Sequence, residues 1–354
     1  MQHCHDPIRC ILPPHILDAI ARNGSPGQRV KALDTLAVDH TVRSLRFARA
    51  ATNRGAAIAS PVASAKPSAK RAIYTAKNEE NLPGTLVRAE GSSASKDPAV
   101  DEAYDGLGAT FAFYYEVLQR NSIDNQGLAL HASVHYGQDY DNAYWDGTQM
   151  VFGDGDKELF ERFTIAVDVI GHELTHGVTE MEANLQYANQ SGALNESVSD
   201  VFGSLVKQYA KKQTSDKADW LIGAGLLRPG IKGVALRSMK NPGQAYDDPL
   251  LGKDPQPGHM RDYVHTMRDN GGVHINSGIP NRAFYLAAAA IGGNAWDAAG
   301  HVWYATLRDS GLRANASFRS FARLTISNAA RLYGSGSKEH KAVAAGWEEV
   351  GVKA

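Results

Sequence analysis

The spacing of apolar residues divides the chain into three parts. Between residues 11 and 49, apolar side chains recur three or four positions apart behind the Pro13-Pro14 pair, which predicts a small helical unit. Residues 50–72 are rich in Ala, Ser, Pro and Lys and lack such a period, as is typical of a linker that proteases can reach. The periodic residues of the first part are Ile16, Leu17, Ile20, Val30, Leu33, Leu36, Val42 and Leu45.

The third part, from residue 73 onward, changes from mixed strand and helix to nearly all helix. Strands are predicted in 73–88, 128–136 and 143–152, where Asp146-Gly147 and Gly153-Asp154-Gly155 supply turns. The Pro- and Gly-rich residues 241–258 predict a long surface loop. Helices are predicted for 101–119, from about residue 163, and for 194–211, 279–291, 295–309, 317–332 and 338–350.

Charge is distributed unevenly, although the whole chain is nearly neutral. It has 37 Lys and Arg against 38 Asp and Glu, whereas residues 1–72 contain 11 of the basic residues and 4 of the acidic ones. A basic arm can bind nucleic acid, but aromatic residues that would stack on bases are not interleaved here. We therefore expect the arm to fold onto its own acidic body, with no nucleic-acid partner.

The composition, 43% hydrophobic and 21% charged, is that of an ordinary soluble globular protein, which we expect to be a monomer. The first residues lack the basic start and apolar run of a secretory signal, and no apolar stretch is long enough to span a membrane. We expect secretion by a route without a conventional signal peptide, with a cytoplasmic location as the alternative. Cys4 and Cys10 could form a bridge, bind a metal with His3 and His5, or be ordinary thiols.

The stretch with the most chemical content is His172-Glu173-Leu174-Thr175-His176. On a helix its two histidines lie one turn apart on the same face and can bind one metal ion. Glu173 beside them can take a proton from a water molecule that the metal activates, as amide hydrolysis by a zinc enzyme requires. The pattern alone is moderately specific, because a helix can also carry it as a solvated polar face.

Two histidines leave zinc short of a third protein ligand. Glu196, on a predicted helix that starts after Gly192, offers one, and Asp200 follows one turn later on the same face. An Asn-Glu pair followed by Asp is usually part of an ordinary helix start. Its position twenty residues after His176 favours a metal site instead.

With these residues in place, most of residues 73–354 resembles the thermolysin family of zinc metallopeptidases. Several separate motifs carry the resemblance, and together they are far more specific than any one of them. They are Asn142-Ala143-Tyr144-Trp145, Gly153-Asp154-Gly155-Asp156, His172 to His176, Asn195-Glu196 to Asp200, Leu236-Arg237-Ser238-Met239, and Asp269 to Gly278 with His274 inside it.

The resemblance implies a role for each matched residue at the metal. His172, His176 and Glu196 match the zinc ligands, with the fourth position left open for water, as in catalytic sites. Asn195 and Asp200 match groups that orient the ligand imidazoles through their other ring nitrogen.

The resemblance also implies the groups that act on the substrate carbonyl. Glu173 matches the general base. His274, held by Asp269, and Tyr187 match the donors that stabilise the oxyanion. Taken alone, a Tyr in a polar loop or a His after Gly-Gly is more often structural.

Substrate-binding positions are implied in the same way. Asn142 and the Ala143 backbone match groups that hold the substrate main chain, and Arg237 matches the residue that binds the carbonyl beyond the scissile bond. The implied pocket for the first side chain after that bond is apolar, so we predict cleavage before bulky hydrophobic residues. Phe163 stands where the family often has a smaller aliphatic residue. The pocket residues are Phe160, Phe163, Val169 and Leu236.

The family's double calcium site is poorly matched. Asp168 and Asp219 are present, but ammonium and aliphatic groups, which cannot bind a hard cation, stand at other ligand positions. We therefore predict weak calcium dependence or none, with at most one degraded site at Asp168 and Asp219. The mismatched residues are Lys207, Leu221 and Ala224, and, for a later loop site, Leu227, Arg228 and Val234.

The arm resembles the short propeptide of the protealysin subgroup, through the Pro13-Pro14 pair and the apolar residues around it. This resemblance implies an inhibitory pro-segment, residues 1–50, whose removal within a linker at 51–72, near Ala57 to Ala69, releases the mature enzyme. A thiolate from Cys4 or Cys10 could alternatively cap the zinc.

These expectations combine into an α+β, two-lobed thermolysin-like peptidase preceded by a small helical pro-segment. An N-terminal lobe with a sheet, residues 73–180, is expected to include the zinc helix, and residues 181–354 to form a helical lobe. We expect a zinc-dependent neutral endopeptidase made as a self-processing precursor that acts on proteins and peptides. The alternative is a catalytically silent binding protein that engages a partner through its basic arm.

Overall fold

The computed structural model describes residues 10–52 and 67–354, with only the backbone given for residues 40 and 42–52. The predicted helical arm consists of helices α1 (Pro14–Asn23) and α2 (Pro26–Thr52). Pro14 stands at the first helical position of α1, where an N–H would have no partner within the helix. His3, Cys4, His5 and most of the predicted linker lie outside the described residues.

A mixed five-stranded sheet lies in the first lobe of the body. Its strands are β1 (Ala72–Thr75), β2 (Thr85–Ala89), β3 (His131–Val134), β4 (Ala143–Trp145) and β5 (Met150–Phe152). They lie in the order β2-β1-β3-β5-β4, with β1, β3 and β5 parallel and the outer two antiparallel to their neighbours. Strand β4 is therefore an edge, with backbone groups open to another extended segment.

Helices are the main regular structure of the body, together with two small two-stranded sheets. None of the described helices combines the length and apolar character that a membrane span requires. The helices are α3 (Pro98–Leu118), α4 (Val167–Glu182), α5 (Asn189–Lys211), α6 (Asp269–Asn276), α7 (Gly278–Ile291), α8 (His301–Leu307), α9 (Phe318–Tyr333) and α10 (Lys338–Glu349). The small sheets pair β6 (Leu221–Ile222) with β7 (Arg237–Ser238) and β8 (Asp247–Asp248) with β9 (Gly252–Lys253).

Several elements differ from those predicted, and three of the differences have a clear physical reason. Helix α4 begins at Val167, after a 3₁₀ turn at Phe163–Ile165, because the extended backbone of Ala166 separates the two. Helix α5 begins before Gly192, where Val273 and the Tyr187 backbone occupy the space of a Cβ, so this glycine serves packing. The predicted loop 241–258 contains β8 and β9, whose two-residue strands are too short to show a period.

Helices α4 and α5 pack closely in the centre of the body. A Cβ added at Gly203 would lie 2.4 Å from the Asp168 carbonyl oxygen, and one at Gly171 would lie 3.1 Å from Gly203 Cα. Because neither glycine has a Cβ, the two helix backbones come into direct contact. This contact sets the distance between the side chains that the helices present to each other.

The arm packs against the body through apolar and charged contacts. Five of its apolar side chains are fully buried in the same hydrophobic core as the catalytic body, which stabilises the docked arm by roughly 10 kcal/mol at most. Lys31 of α2 lies 3.0 Å from Glu158 and 3.3 Å from Asp139, in keeping with the basic arm and acidic body. The buried apolar side chains are Ile11, Leu12, Ile16, Leu17 and Ile20.

A charged histidine joins α3 to the loop after β5. His135 Nδ1 lies 2.8 Å from Asp154 Oδ2, and its Nε2 lies 2.9 Å from Asp97 Oδ2, while Asp97 also caps α3 through the Ala99 N–H. The hydrogen bond to Asp154 raises the pKa of His135 to about 9, so the ring is cationic at neutral pH. Its backbone is left-handed, with φ 54°.

We predict that His135→Asn destabilises the fold in a pH-dependent way. The raised pKa means that the bridge stabilises fully below the ordinary pKa of about 6.5 and is lost as pH rises through 9. Asn is chosen because it tolerates the left-handed backbone. In urea unfolding, the free energy of unfolding of the variant should be lower than that of the wild type by about 1 kcal/mol at pH 6, a value discounted for the partial exposure of His135. The difference should be smaller at pH 10. An equal deficit at both pH values would contradict this account.

Candidate active site

Three predicted metal ligands converge at one buried point. His172 and His176 leave the same face of α4, and Glu196 faces them from α5. His172 Nε2 lies 3.5 Å from Glu196 Oε2, and His176 Nε2 lies 3.4 Å from Glu196 Oε1. All three residues are fully buried.

Each of these histidines is held through its other ring nitrogen. His172 Nδ1 lies 2.8 Å from Asp200 Oδ1, and His176 Nδ1 lies 2.8 Å from Asn195 Oδ1 and 2.9 Å from Ser199 Oγ. A carboxylate or amide oxygen only accepts hydrogen bonds, so the protons lie on Nδ1. The Nε2 lone pairs of both rings are then directed towards Glu196.

The donor set fits a zinc ion. Zinc binds nitrogen and oxygen at roughly 2.0 to 2.2 Å in a tetrahedron, so its ligand atoms lie about 3.3 to 3.6 Å from one another. The distances of 3.4 and 3.5 Å match that spacing and exceed ordinary hydrogen-bond lengths. Within the described chain, His172 Nε2 and Glu196 Oε2 are buried without a hydrogen-bond partner, as metal ligands without their ion would be.

Glu173 is a second carboxylate beside the two histidines. A ligand atom from each of His172, Glu173 and His176 lies within 4.8 Å of the others. Glu173 Oε2 accepts a hydrogen bond from the Trp145 N–H of β4 at 3.1 Å, which draws it towards the sheet. Proximity alone would group Glu173 with the histidines, but the Glu196 oxygens lie at ligand–ligand spacing and make the better third ligand.

Tyr187 and His274 face this point from the other side. The Tyr187 hydroxyl donates to Glu196 Oε1 and lies 3.1 Å from His274 Nε2. Asp269 accepts from both the backbone N–H and Nδ1 of His274, at 2.8 and 2.6 Å. Burial alone would lower the pKa of His274, but Asp269 and Glu196 raise it to about 9, so the ring is a charged donor at neutral pH.

Asp200 connects the metal site to the substrate cleft. Besides His172, it accepts hydrogen bonds from Arg237 Nε and Nη2 at 2.9 and 2.8 Å and from Asn281 Nδ2 at 2.8 Å. Burial alone would raise its pKa, but Arg237 and His172 hold it below its usual value. The carboxylate therefore stays ionised. Sequence reasoning missed Asn281, because one amide in the first turn of a helix carries no signal of its own.

Arm residues lie along the edge strand β4 in the cleft. Cys10 pairs with Tyr144 as an antiparallel bridge. The Ile11 N–H donates to the Ala143 carbonyl at 3.2 Å, and the Leu12 N–H donates to Asn142 Oδ1 at 3.0 Å. The positions predicted to hold a substrate main chain thus hold the main chain of the arm.

The helical lobe contacts the same arm residues. Arg237 Nη1 donates to the Ile11 carbonyl at 2.9 Å, and His274 Nε2 lies 3.1 Å from the Cys10 carbonyl oxygen. The thiol of Cys10 is buried and makes a 3.7 Å hydrogen bond to the Leu12 carbonyl. Two carbonyl groups of the arm therefore face the predicted substrate-binding and oxyanion donors.

Helix α2 holds the side chain of Asn142, the amide predicted to bind substrate. Asn142 Nδ2 donates to Asp39 Oδ2 at 3.0 Å, and the Tyr140 hydroxyl donates to Asp39 Oδ1 at 2.6 Å. This fixes the Asn142 amide with Oδ1 facing the cleft. Sequence reasoning missed Asp39, since its partners lie about a hundred residues away.

The predicted pocket residues are buried. They belong to the large hydrophobic core of the protein, which also contains Ile11 and Leu12 of the arm. The pocket residues Phe160, Phe163, Val169 and Leu236 are all at most 1% exposed.

The predicted calcium remnant contains an ammonium group. Lys207 Nζ lies 2.8 Å from both Asp168 Oδ2 and Asp219 Oδ1 and 2.5 Å from the Leu221 carbonyl oxygen. Burial alone would lower the pKa of Lys207, but the two carboxylates raise it. The positive charge therefore stands between the two surviving acidic residues.

A mixed-sheet lobe, a helical lobe and a buried His-His-Glu centre with a further carboxylate beside it define a zinc metallopeptidase. The predicted α+β architecture is confirmed. Comparison with known proteins identifies the family of metallopeptidases to which the chain belongs.

The chain belongs to the thermolysin family of metallopeptidases. Residues 57–180 match the family model described as thermolysin metallopeptidase, catalytic domain, and residues 183–352 match the thermolysin metallopeptidase, alpha-helical domain. It is therefore a zinc metalloendopeptidase, and the alternative of a silent binding protein is not supported.

Relatives match along nearly the whole chain. An extracellular metalloprotease of Pectobacterium carotovorum subsp. carotovorum is 54% identical, covering 98% of this chain and 97% of the relative. Protease PrtS of Photorhabdus sp. (strain Az29) is 51% identical, covering 100% and 94%. The solved structure of the precursor of protealysin, from Serratia proteamaculans, is 55% identical with a TM-score of 0.88, covering 98% of this chain and 100% of that one.

We predict that Asp200→Asn lowers both zinc content and peptidase activity, by about 10- to 100-fold. The amide removes the charge that balances Arg237, and its NH2 group faces N–H donors in either orientation, so it cannot bind His172, Arg237 and Asn281 all at once. Metal analysis and peptide hydrolysis should be measured on folded protein after arm removal. The exposed Asp216→Asn serves as the matched control. Unchanged zinc content in Asp200→Asn would contradict the orienting role.

Proposed function

We propose that this endopeptidase is a precursor inhibited by its own arm, residues 1–50, and that it cuts peptide bonds before bulky hydrophobic residues. The observation that carries the proposal is the path of residues 10–12, whose main chain bonds to Ala143, Asn142 and Arg237. These are the groups matched to substrate binding. Because the arm is part of the same chain, its effective concentration at the cleft is high.

The chain's own residues divide the chemistry between them. His172, His176 and Glu196 would hold zinc, which supplies a Lewis acid for the carbonyl and lowers the pKa of water. Glu173 accepts a proton from the attacking water and delivers it to the leaving nitrogen. His274 and Tyr187 stabilise negative charge on the carbonyl oxygen.

The arm supports a register for substrates. Its Cys10 carbonyl faces His274, and Arg237 binds the next carbonyl, that of Ile11. A substrate in the same register would add as an antiparallel strand to β4, with its first residue after the scissile bond at the position of Ile11. Burying a large apolar side chain there contributes about 1.5 to 3 kcal/mol, which favours cleavage before such residues.

Two further properties are proposed. The enzyme acts outside the cell, since the Pectobacterium relative is named an extracellular metalloprotease. It needs little or no calcium, because the ammonium of Lys207 supplies the positive charge between Asp168 and Asp219.

We predict that maturation cuts the chain before Ile58. The linker at 51–72 contains two large apolar residues, Ile58 and Val62, and the bond before Val62 follows Pro61, whose ring restricts the backbone. N-terminal sequencing of aged wild-type protein should therefore begin at Ile58. Glu173→Gln, with the general base removed, should stay full length under the same conditions.

Two results would contradict this proposal. Glu173→Gln that matures as fast as wild type, without added protease, would exclude self-processing. A mature terminus that begins with a polar residue would exclude the proposed specificity.

We predict that added calcium does not raise the melting temperature of the wild type, whereas Lys207→Ala melts several degrees lower. Removing the ammonium leaves the Asp168 carboxylate buried without its counter-charge, which costs about 3 to 5 kcal/mol. Differential scanning calorimetry with and without millimolar calcium measures both, and the exposed Lys217→Ala is the matched control. A large calcium-induced rise for wild type would contradict the role of Lys207.

A further inference from the structure

His15 is a titratable arm residue that the inhibitory contacts do not explain. It follows the Pro13-Pro14 pair in the first turn of α1, and its Nε2 lies 3.0 Å from the Tyr246 hydroxyl oxygen. The residue is partly exposed as a whole, but its Nδ1 is sealed from solvent and has no hydrogen-bond partner in the part of the chain that the structure describes. A ring protonated on both nitrogens would need an acceptor at Nδ1, so the docked arm accommodates the neutral ring.

The groups that face His15 do not compensate a charge on it. Tyr246 lies before β8, Arg237 lies on β7, and Asp269 and His274 lie on α6. Asp269 favours a cationic His15, but that carboxylate is already bound by His274 at 2.6 Å, while Arg237 and His274 disfavour it. Burial has the largest effect and lowers the pKa of His15 to about 4.

His15 is the member of this group whose charge at pH 5 differs between the docked and the released arm. The pKa of His274 is raised to about 9, burial raises the pKa of Tyr246, and the carboxyl of Asp269 is held below its usual pKa despite burial, chiefly by His274. A histidine in the released arm, by contrast, titrates near its ordinary pKa of about 6.5.

We propose that His15 makes the arm an acid-sensitive latch, which docks more tightly when the ring is neutral and more weakly when the ring takes up a proton. This inference rests on the proposed inhibitory function of the arm. His15 has a higher pKa in the released arm than in the docked arm, so proton binding favours release. Docking is therefore strongest above about pH 6.5 and weakens as the pH falls towards 4. A precursor that meets a mildly acidic environment would then release its arm more often.

The expected effect can be measured. A shift from 6.5 to about 4 weakens docking roughly 30-fold at pH 5, and allowing for the partial exposure of the ring leaves about 10-fold. The apolar contacts of the arm do not titrate, so they set the strength of docking and His15 sets its dependence on pH.

The test uses the full chain carrying Glu173→Gln, which removes hydrolysis. Hydrogen exchange measures the protection of the Ile11 and Leu12 amides, which donate to Ala143 and Asn142, after correction for intrinsic exchange at each pH. Protection should fall about 10-fold between pH 7.5 and pH 5. Adding His15→Gln, which keeps a polar group near Tyr246 but does not titrate, should make protection equal at both pH values.

The outcomes are decisive in both directions. Equal protection at pH 7.5 and pH 5 with His15 present would overturn the latch, as would an unchanged loss of protection after His15→Gln. If His15→Gln prevents docking at pH 7.5, His15→Phe provides the second non-titrating variant, and a pH-dependent loss that persists in His15→Phe would overturn the latch.

Failure of the latch can be told from failure of the inhibitory function. Before and after brief exposure to pH 5, hydrolysis of a fluorogenic peptide by the otherwise unaltered precursor is measured at pH 7.5. If the untreated precursor is fully active while protection falls at pH 5, the arm is acid-sensitive but does not inhibit. If it is inactive until the arm is removed while protection stays constant, the arm inhibits but His15 is not a latch.

Discussion

The site depends on holding three metal-binding groups together in a buried place. His172 and His176 direct lone pairs towards the Glu196 carboxylate, at 3.4 to 3.5 Å. Buried polar groups are costly unless their other atoms are bonded, and here Asp200 and Asn195 bond the far side of each ring. The close contact of α4 with α5 brings the ligands near enough, and it requires glycine at 171 and 203.

The same network links the metal site to whatever lies in the cleft. Arg237 uses two nitrogens for Asp200 and the third for the Ile11 carbonyl. A planar guanidinium fixed by a buried carboxylate presents its remaining N–H in one direction, so the carbonyl it binds is placed accurately relative to His172. Asp200 therefore orients both Arg237, which binds the main chain lying along β4, and His172, which would bind the metal. A hydrolase needs this coordination, because the scissile carbonyl must reach the metal while the main chain around it is held in place.

Sequence reasoning recovered the groups that sit in recognisable local patterns and missed those whose partners are remote. The four-residue spacing of His172 and His176 and the helical position of Glu196 are local, and the structure brings these three side chains together. Asp39 and Asn281 act on residues far away in sequence, so only the fold shows their contacts. Helix boundaries failed where tertiary packing overrode local preference, as at Gly192, and two-residue strands are too short to have a period.

An inhibitor that lies in a substrate's place must also be able to leave it. Apolar burial holds the arm firmly, but it changes little with pH, and the edge-strand hydrogen bonds between backbone groups do not titrate. Release therefore has to come from severing the linker or from a group whose charge differs between docked and released states. His15 meets the second condition: a neutral Nδ1 without a partner costs less in the docked arm than a charged ring whose proton would be buried without an acceptor. Because this contact lies on α1, immediately after the residues in the cleft, its loss would act directly on the segment that covers the catalytic groups.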